Sequence, residues 1–105
     1  MKLLHHPNRT ELILTNVLYA LGDPVRLEIV KRLVTKGEQN CAAMDFPIAK
    51  STLSHHFRVL RESGILYCRK EGTQHLNSLR REDLDACFPG LLDAVLQAAF
   101  QPITV

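Results

Sequence analysis

The sequence is poor in the residues that build several specialised protein classes. It has no tryptophan and only five glycines, five prolines and three cysteines among its 105 residues. With 46% hydrophobic and 23% charged residues, it fits a globular chain rather than a disordered or collagen-like one. No run approaches the roughly 18 apolar residues of a membrane helix, and residues 1–9 lack a signal peptide's apolar stretch. The sequence therefore predicts one globular, cytoplasmic domain without a membrane partner.

The few cysteines also limit the kinds of site the chain can build. Cys41, Cys68 and Cys87 are odd in number and widely spaced, unlike a secreted disulfide framework. In a reducing compartment we expect free thiols. The chain has no Gly-rich phosphate loop and no HExxH, CxxC or GxSxG motif. Ser54 and His55 are neighbours on a predicted helix and so point in different directions. The sequence thus predicts neither an enzyme nor a bound cofactor.

Charge is unevenly distributed along the chain, although the total is only +2. Residues 48–75 contain five basic and two acidic side chains, together with three of the five histidines. Residues 82–105 contain four acidic side chains and no basic one. A basic middle favours contact with a polyanion, although a solvated charged face would give the same pattern.

The spacing of apolar residues predicts a mainly α-helical fold with a small β component. Asp23 and Pro24 are typical of a helix start, and Gly22 and Gly64 of helix ends. Pro89 predicts a kink or two successive helices, and residues 38–47 a short helical turn. The predicted helices cover about residues 10–21, 24–36, 48–63 and 81–101, and the predicted strands 65–71 and 73–79.

This order predicts a winged helix-turn-helix, with five to six helices and one hairpin wing. In such a motif the second helix enters the major groove of DNA and the hairpin contacts the neighbouring backbone. Residues 1–9 form a short arm and residues 10–101 one domain. The recognition helix is about 48–63 and the wing about 65–79.

Three segments resemble the ArsR/SmtB-type family of bacterial repressors. ALGDPVRLEI at residues 20–29 resembles the family's opening helix pair, and STLSHHFRVLRESG at 51–64 resembles its recognition helix. RKEGT at 69–73 resembles its wing. Together they cover most of residues 17–79, in the family's order and spacing. The resemblance implies a dimeric repressor that leaves its operator when an inducer binds.

The residue types on the predicted helix and hairpin agree with DNA binding. Hydroxyl and imidazole groups can reach base edges and phosphates, and Lys and Arg can neutralise phosphates. A solvated amphipathic helix with a basic rim is the plain alternative. Phe57 is expected in the core, and His56 either supports the fold or touches DNA. The predicted DNA-binding residues are Lys50, Ser51, Thr52, Ser54, His55 and Arg58 of the helix, and Arg69, Lys70, Thr73 and Gln74 of the wing, with His75 beside them.

A winged helix that reads palindromic DNA needs a two-fold partner. The terminal helices, 10–21 and 81–101, are apolar enough to supply an interface, and the resemblance implies that they do. The alternative is that both apolar stripes belong to the intramolecular core. We therefore expect a homodimer paired through these helices.

The inducer is the least determined feature of the sequence. Metal-sensing relatives carry Cys-x-Cys before the recognition helix, whereas this chain has Cys41 alone in that region. Its last helix also lacks histidine, so a histidine-containing metal site is missing there as well. His5 and His6 could join Cys41 as metal ligands, or belong to a solvated tail. No metal site is therefore predicted.

A thiol sensor is the favoured hypothesis. Cys41 lies near a helix start, where the helix dipole favours thiolate, so oxidation by peroxide or binding of a metalloid there would release DNA. Cys68 and Cys87 are less favoured because small buried thiols are common. The alternatives are a metal, a small organic inducer, or a winged-helix protein–protein module without DNA binding.

Overall fold

A computed structural model describes residues 4–101 of the chain. Over that range the chain forms five α-helices and a three-stranded antiparallel sheet, the predicted winged helix-turn-helix. None of the helices in the described range is long and apolar enough to span a membrane. The elements are α1 (Leu14–Leu21), α2 (Pro24–Lys36), β1 (Gln39–Asn40), α3 (Lys50–Glu62), β2 (Leu66–Glu71), β3 (Gln74–Leu79), α4 (Arg81–Cys87) and α5 (Leu91–Phe100).

Helix α2 begins and ends where the sequence predicts. The Asp23 carboxylate accepts hydrogen bonds from the backbone N–H groups of Val25 and Arg26, at 2.9 and 3.1 Å. Pro24 occupies the first helical position, where a missing N–H costs nothing. Gly37 ends the helix with a φ of 77°, a left-handed angle that favours glycine.

The first helix is shorter than predicted and begins at Leu14 rather than near residue 10. Residues 9–11 form a separate 3₁₀ turn, and Leu12 and Ile13 are extended, with ψ of 131° and 126°. The Leu12 side chain fills the space that a Cβ at Gly64 would need. This contact across the fold draws Leu12 inward and prevents the helix from extending to Thr10.

The C-terminal apolar segment forms two helices, which is one of the two predicted alternatives. Helix α4 ends at Cys87 and α5 begins at Leu91. Between them Pro89 has no N–H to donate, and Gly90 has a left-handed φ of 81°. The stretch 81–101 therefore holds two successive helices, the second of the alternatives that Pro89 left open.

The sheet has the order β1-β3-β2, with β3 in the centre. The hairpin prediction is confirmed: Glu71 pairs with Gln74 around a two-residue turn whose first residue, Gly72, has a φ of 62°. Strand β1 was not predicted, because two residues carry no alternation pattern. The predicted short turn after it is a 3₁₀ turn, Cys41–Ala43, capped by the Asn40 side chain.

The core lies between α2, the inner side of α3, the sheet and the C-terminal helices. Helix α3 contributes Phe57 and Leu60, which are 6% and 0% exposed. Packing of α3 against both α2 and β2 fixes the position of α3 relative to the hairpin. The most deeply buried side chains are Val17, Ile29, Val30, Leu60, Ile65 and Leu66.

Candidate nucleic-acid interface and the cleft behind it

The outer face of α3 presents all of its predicted DNA-binding side chains to solvent. Its N-cap residue, Ala49, makes no side-chain hydrogen bond to the first turn, and no acidic residue lies there. Free N–H groups at a helix N-terminus suit a phosphate oxygen. The exposed residues are Lys50, Ser51, Thr52, Ser54, His55 and Arg58.

A buried arginine connects α3 to the corner between α1 and α2. Arg26, 6% exposed, donates hydrogen bonds to the carbonyls of Ala20 (2.7 Å) and Tyr19 (3.1 Å). Its guanidinium also lies 3.2 Å from Nδ1 of His56, whose side chain is 12% exposed. His56 thus joins α3 to the α1–α2 corner and supports the fold, one of the two roles the sequence left open.

The wing carries its four predicted contact residues on the surface, but Arg69 differs from the others. Lys70, Thr73 and Gln74 are exposed near the hairpin tip. Arg69 is held by the Glu38 carboxylate, with N–O distances of 3.0 and 2.9 Å, and by Glu71 at 2.7 Å. These contacts raise the pKa of Arg69, and its hydrogen bond lowers the pKa of Glu38. Much of the Arg69 charge is therefore compensated within the free protein.

A cleft of about 750 Å³ lies behind α3, between its inner side and the sheet. Helix α3 forms one wall, and residues from the turn after β1 and from β2 and β3 form the other. Two of the three cysteines open into this cleft. Its lining comprises Leu4, Cys41, Met44, Asp45, Phe46, Ile48, Lys50, Leu53, Ser54, Phe57, Arg61, Cys68, His75 and Asn77.

The cysteines at the cleft have different surroundings. The Cys41 sulfur accepts a hydrogen bond from Nδ2 of Asn77 at 3.1 Å, and the residue is half-buried. Burial is the main cause that raises the pKa of the Cys68 thiol, and the nearby Cys41 adds to the increase. The Cys68 sulfur lies 3.9 Å from Nδ1 of His75. Away from the cleft, Cys87 donates to the carbonyl of Arg9 at 3.3 Å.

The N-terminal arm packs on the outer edge of β2. Nε2 of His6 accepts the backbone N–H of Cys68 at 3.0 Å, and the His6 ring lies 4.6 Å from that of Tyr67. Burial and the charges of Arg61 and Arg80 lower the pKa of His6. The ring is therefore held in its neutral form, which the accepted hydrogen bond requires.

The candidate metal ligands of the sequence are not assembled into a site. Over residues 4–101 no group of three or more His, Cys, Asp or Glu side chains is placed to hold a metal ion. His6 contacts strand β2 through the backbone N–H of Cys68, and His5 is exposed to solvent. The mixed set of His5, His6 and Cys41 is therefore not brought together in this part of the chain.

Comparison with known proteins gives the same fold and a family. A family profile described as a helix-turn-helix domain matches residues 21–69. An uncharacterized HTH-type transcriptional regulator of Bacillus subtilis, YceK, is 33% identical over 86 residues, covering 79% of this chain and 86% of the relative. An arsenical resistance operon repressor of Staphylococcus xylosus is 36% identical over 73 residues, covering 69% and 70%.

Solved structures agree. The repressor BigR from Xylella fastidiosa is 32% identical with a TM-score of 0.64, over 85% of this chain and 87% of that one. The chain belongs to the ArsR-type winged helix-turn-helix regulators. An ArsR family transcriptional regulator at 23% identity matches in fold, with a TM-score of 0.65 over 84% of this chain and 98% of that one. The protein is thus a DNA-binding transcriptional repressor of the ArsR type.

This ArsR-type regulator has an apolar surface on α1. Ile13, Leu14 and Leu18 are 54%, 45% and 46% exposed, and Tyr19 is 66% exposed. Phe100, at the end of α5, is 50% exposed. So many large apolar side chains on one short element are unusual for the surface of a monomer.

Sequence reasoning missed the residues that connect the cleft to the rest of the fold. Asn77 is 3% exposed in the centre of the sheet, and Arg61 lies on the inner side of α3. A polar residue inside a strand pattern was an available signal for Asn77. Arg61 gave no signal, because an arginine near the end of a helix usually points to solvent.

Proposed function

We propose that this repressor binds operator DNA as a homodimer, with α3 in the major groove and the wing against the flanking backbone. The observation that carries the proposal is the common exposure of the ten predicted contact residues, six on the outer face of α3 and four on the wing. Exposure leaves the hydroxyl and cationic groups of both elements available to base edges and phosphates.

The roles follow from side-chain chemistry. Ser54 and His55 lie on the exposed face and can exchange hydrogen bonds with base edges. Lys50, at the N-terminus of α3, and Lys70, on the wing, can neutralise phosphates without giving up a partner. Arg69 would first have to leave Glu38, so we assign it a smaller share of the phosphate contacts than Lys70.

The exposed apolar surface of α1 supports the dimer. Two copies of α1 packed about a two-fold axis would cover Ile13, Leu14 and Leu18, and Phe100 of α5 can extend the contact. A two-fold axis would also place two α3 helices for adjacent major-groove half-sites. We expect a dimer by sedimentation, and a monomer for Leu18→Glu, which places a charge in the interface.

The DNA-binding proposal is tested by fluorescence anisotropy with the duplex upstream of the protein's own gene. We expect tight binding, and an affinity that falls linearly with the logarithm of salt concentration. A scrambled duplex of equal length is the control. Equal affinity for both duplexes would remove sequence-specific binding, and binding to neither would favour a protein–protein module.

For release from DNA, we propose thiol chemistry at Cys41. The position of its sulfur supports this choice, since Cys41 is half-buried in the cleft wall that faces α3 and contacts Asn77 there. Burial raises the pKa of Cys68 and leaves it less thiolate at neutral pH. Attack of the Cys41 thiolate on hydrogen peroxide would give a sulfenic acid and hydroxide. The added oxygen would stand against Asn77, in the wall that faces α3.

The release proposal is tested by repeating the binding assay after mild peroxide and then after a thiol reductant. We expect peroxide to abolish binding and the reductant to restore it, with Cys41→Ser insensitive and Cys87→Ser behaving as wild type. Arsenite in place of peroxide tests the metalloid alternative. Unchanged binding in peroxide would remove redox control while leaving the repressor intact.

A further inference from the structure

The cleft behind α3 is lined by a half-buried arginine, Arg61, whose Nε has no hydrogen-bond partner among the described residues. This Nε is inaccessible to solvent. An unsatisfied buried donor is costly, and on a guanidinium the cost is larger than on a neutral group. A group that accepts from Arg61 would recover this free energy.

The other residues that line the cleft indicate what kind of molecule would carry this acceptor group. Met44, Phe46, Leu53 and Phe57 give the cleft apolar and aromatic walls. Asn77 adds an amide, whose Nδ2 is already used on Cys41 and on the carbonyl of His75. A largely apolar cleft with a few polar groups is a common form of a small-molecule site.

The charges that face the cleft favour an anion. Arg61 and Lys50 contribute positive charges from α3. Asp45 is the acidic side chain in the lining.

We propose that this cleft binds a small aromatic organic anion, a carboxylate or sulfonate paired with Arg61, and that the bound anion weakens DNA binding. The second half of this proposal rests on the proposed DNA-binding function of α3. No chemistry at Cys41 is required for the anion to bind.

The coupling follows from the position of α3 between the two sites. Lys50 and Ser54 line the cleft and also belong to the predicted DNA contacts, while Leu53, Phe57 and Arg61 face the cleft from the same helix. A ligand that engages Arg61 therefore acts on the element that must dock in the groove. Because coupling between two sites is reciprocal, bound duplex must weaken the anion's binding by the same factor.

The test uses two fluorescent probes that differ in one group. The anion is 8-anilinonaphthalene-1-sulfonate, and N-phenyl-1-naphthylamine is its neutral counterpart. We expect the sulfonate to bind once per chain, by calorimetry, and about tenfold more tightly than the neutral probe, as one charge-assisted contact allows. Exposed apolar surface on α1 would bind both probes alike.

Variants locate the site. Arg61→Met should remove the preference for the sulfonate, and Arg61→Lys should keep part of it. Arg81→Met is the matched control, since Arg81 is an exposed arginine paired with Asp85 and Asp93 on the C-terminal helices. It should keep the preference in full. Circular dichroism checks that each variant is folded, and the comparison of the two probes on wild type needs no variant.

Each outcome decides one part of the proposal. Equal affinity for the two probes, or a sulfonate preference that survives Arg61→Met, would overturn the anion site. Saturating sulfonate should weaken duplex binding severalfold, within the 5- to 150-fold range typical of such coupling. An unchanged duplex affinity would overturn the regulatory half. Failure of the apo protein to bind any duplex would instead refute the proposed function, while the probe titrations would still decide the site.

Discussion

The two faces of α3 are built on opposite principles. The outer face is a row of exposed hydroxyl, imidazole and cationic groups, of which Lys50 and Ser54 also border the cleft. The inner face packs Phe57 and Leu60 into the core and lines the cleft with Leu53 and Arg61. The outer face can therefore change its sequence preference without loss of stability. The inner face can change the position of the whole helix, which makes it the place where a signal can act.

The comparison is tested most strongly by truncating the inner face. Leu60 is fully buried, so Leu60→Ala should destabilise the protein by about 2–5 kcal/mol through lost burial and a residual cavity. On the exposed outer face, His55→Ala should change stability by less than about 0.5 kcal/mol. Urea unfolding followed by circular dichroism measures both. Equal effects of the two substitutions would contradict the division between faces.

The outer face and the wing should differ in what they contribute to DNA binding. His55→Ala should reduce the discrimination between operator and mutated operator by about 1–3 kcal/mol, if His55 reads a base edge. Lys70→Ala should weaken binding to all duplexes alike and lower the salt slope by about one unit. Anisotropy titrations on both duplexes at several salt concentrations give these quantities.

Arg69→Ala is the matched control for the wing. Because Glu38 and Glu71 already compensate its charge, its loss should change the salt slope less than the loss of Lys70. If His55→Ala leaves operator preference intact, the assigned docking of α3 is wrong. If Arg69→Ala exceeds Lys70→Ala, the ion pairs open on DNA and the assignment of the wing must change.

The outer face was predictable from sequence, and the inner face was only partly so. Exposed residues of one helix follow from its 3.6-residue period, so Ser51, His55 and Arg58 could be placed on a common face. The caps of α2 were likewise readable, because Asp23 and Pro24 act locally. The cleft depends on which residues of separate elements meet. Cys68 lies opposite Asn77 only through the β2–β3 register, and no local pattern brings Cys41 to the same place.

The misplaced start of α1 has the same physical origin. Apolar periodicity from Thr10 to Leu21 satisfies the helical pattern, but the Leu12 side chain is drawn to Gly64, far along the chain. Tertiary packing overrode the local signal. The two-residue strand β1 is a second case, since it exists only because β3 offers it a partner.

A smaller effect is expected at the corner that anchors α3 through His56. Asp23 caps α2 and lies 3.8 Å from Nδ1 of His56, and its hydrogen bond with the N–H of Arg26 lowers its pKa. Asp23→Ala should therefore cost about 1 kcal/mol at neutral pH. A carboxyl with a lowered folded pKa stabilises above its ordinary pKa, near 4, and that stabilisation is lost as pH falls through the folded value. The difference between wild type and Asp23→Ala should shrink accordingly in acid.

Asp23→Asn separates the cap from the charge. Asparagine keeps a side-chain oxygen for the N–H groups of Val25 and Arg26, so this variant should retain most of the stability at neutral pH. Because the amide does not titrate, its stabilisation should persist in acid. Urea midpoints from pH 3 to pH 7 compare the three proteins, and a constant gap between wild type and Asp23→Ala would refute the linkage.

The smallest expected effect lies at the edge of the sheet beside the cleft, where the arm is attached. Nε2 of His6 must be unprotonated to accept the N–H of Cys68, and burial, Arg61 and Arg80 lower its pKa. A histidine with a lowered folded pKa is fully favourable above its ordinary value, near 6.5, and its stabilisation is lost as pH falls through the folded value. His6→Gln offers an oxygen that accepts at every pH. Hydrogen exchange of the Cys68 amide should therefore accelerate below pH 6.5 in wild type, beyond the intrinsic pH dependence, but not in His6→Gln.

The neighbouring histidine provides the control, since His5 is exposed and His5→Gln should exchange at Cys68 as wild type does. Acceleration in His6→Gln equal to that in wild type would show that the arm does not depend on this ring. Duplex affinity should change little over the same pH range if the outer face is independent of the arm. The contrary outcome is a loss of duplex affinity that parallels the Cys68 exchange in wild type but not in His6→Gln. It would show that the arm is coupled to α3 across the cleft, and that the two faces of α3 are more closely coupled than their packing indicates.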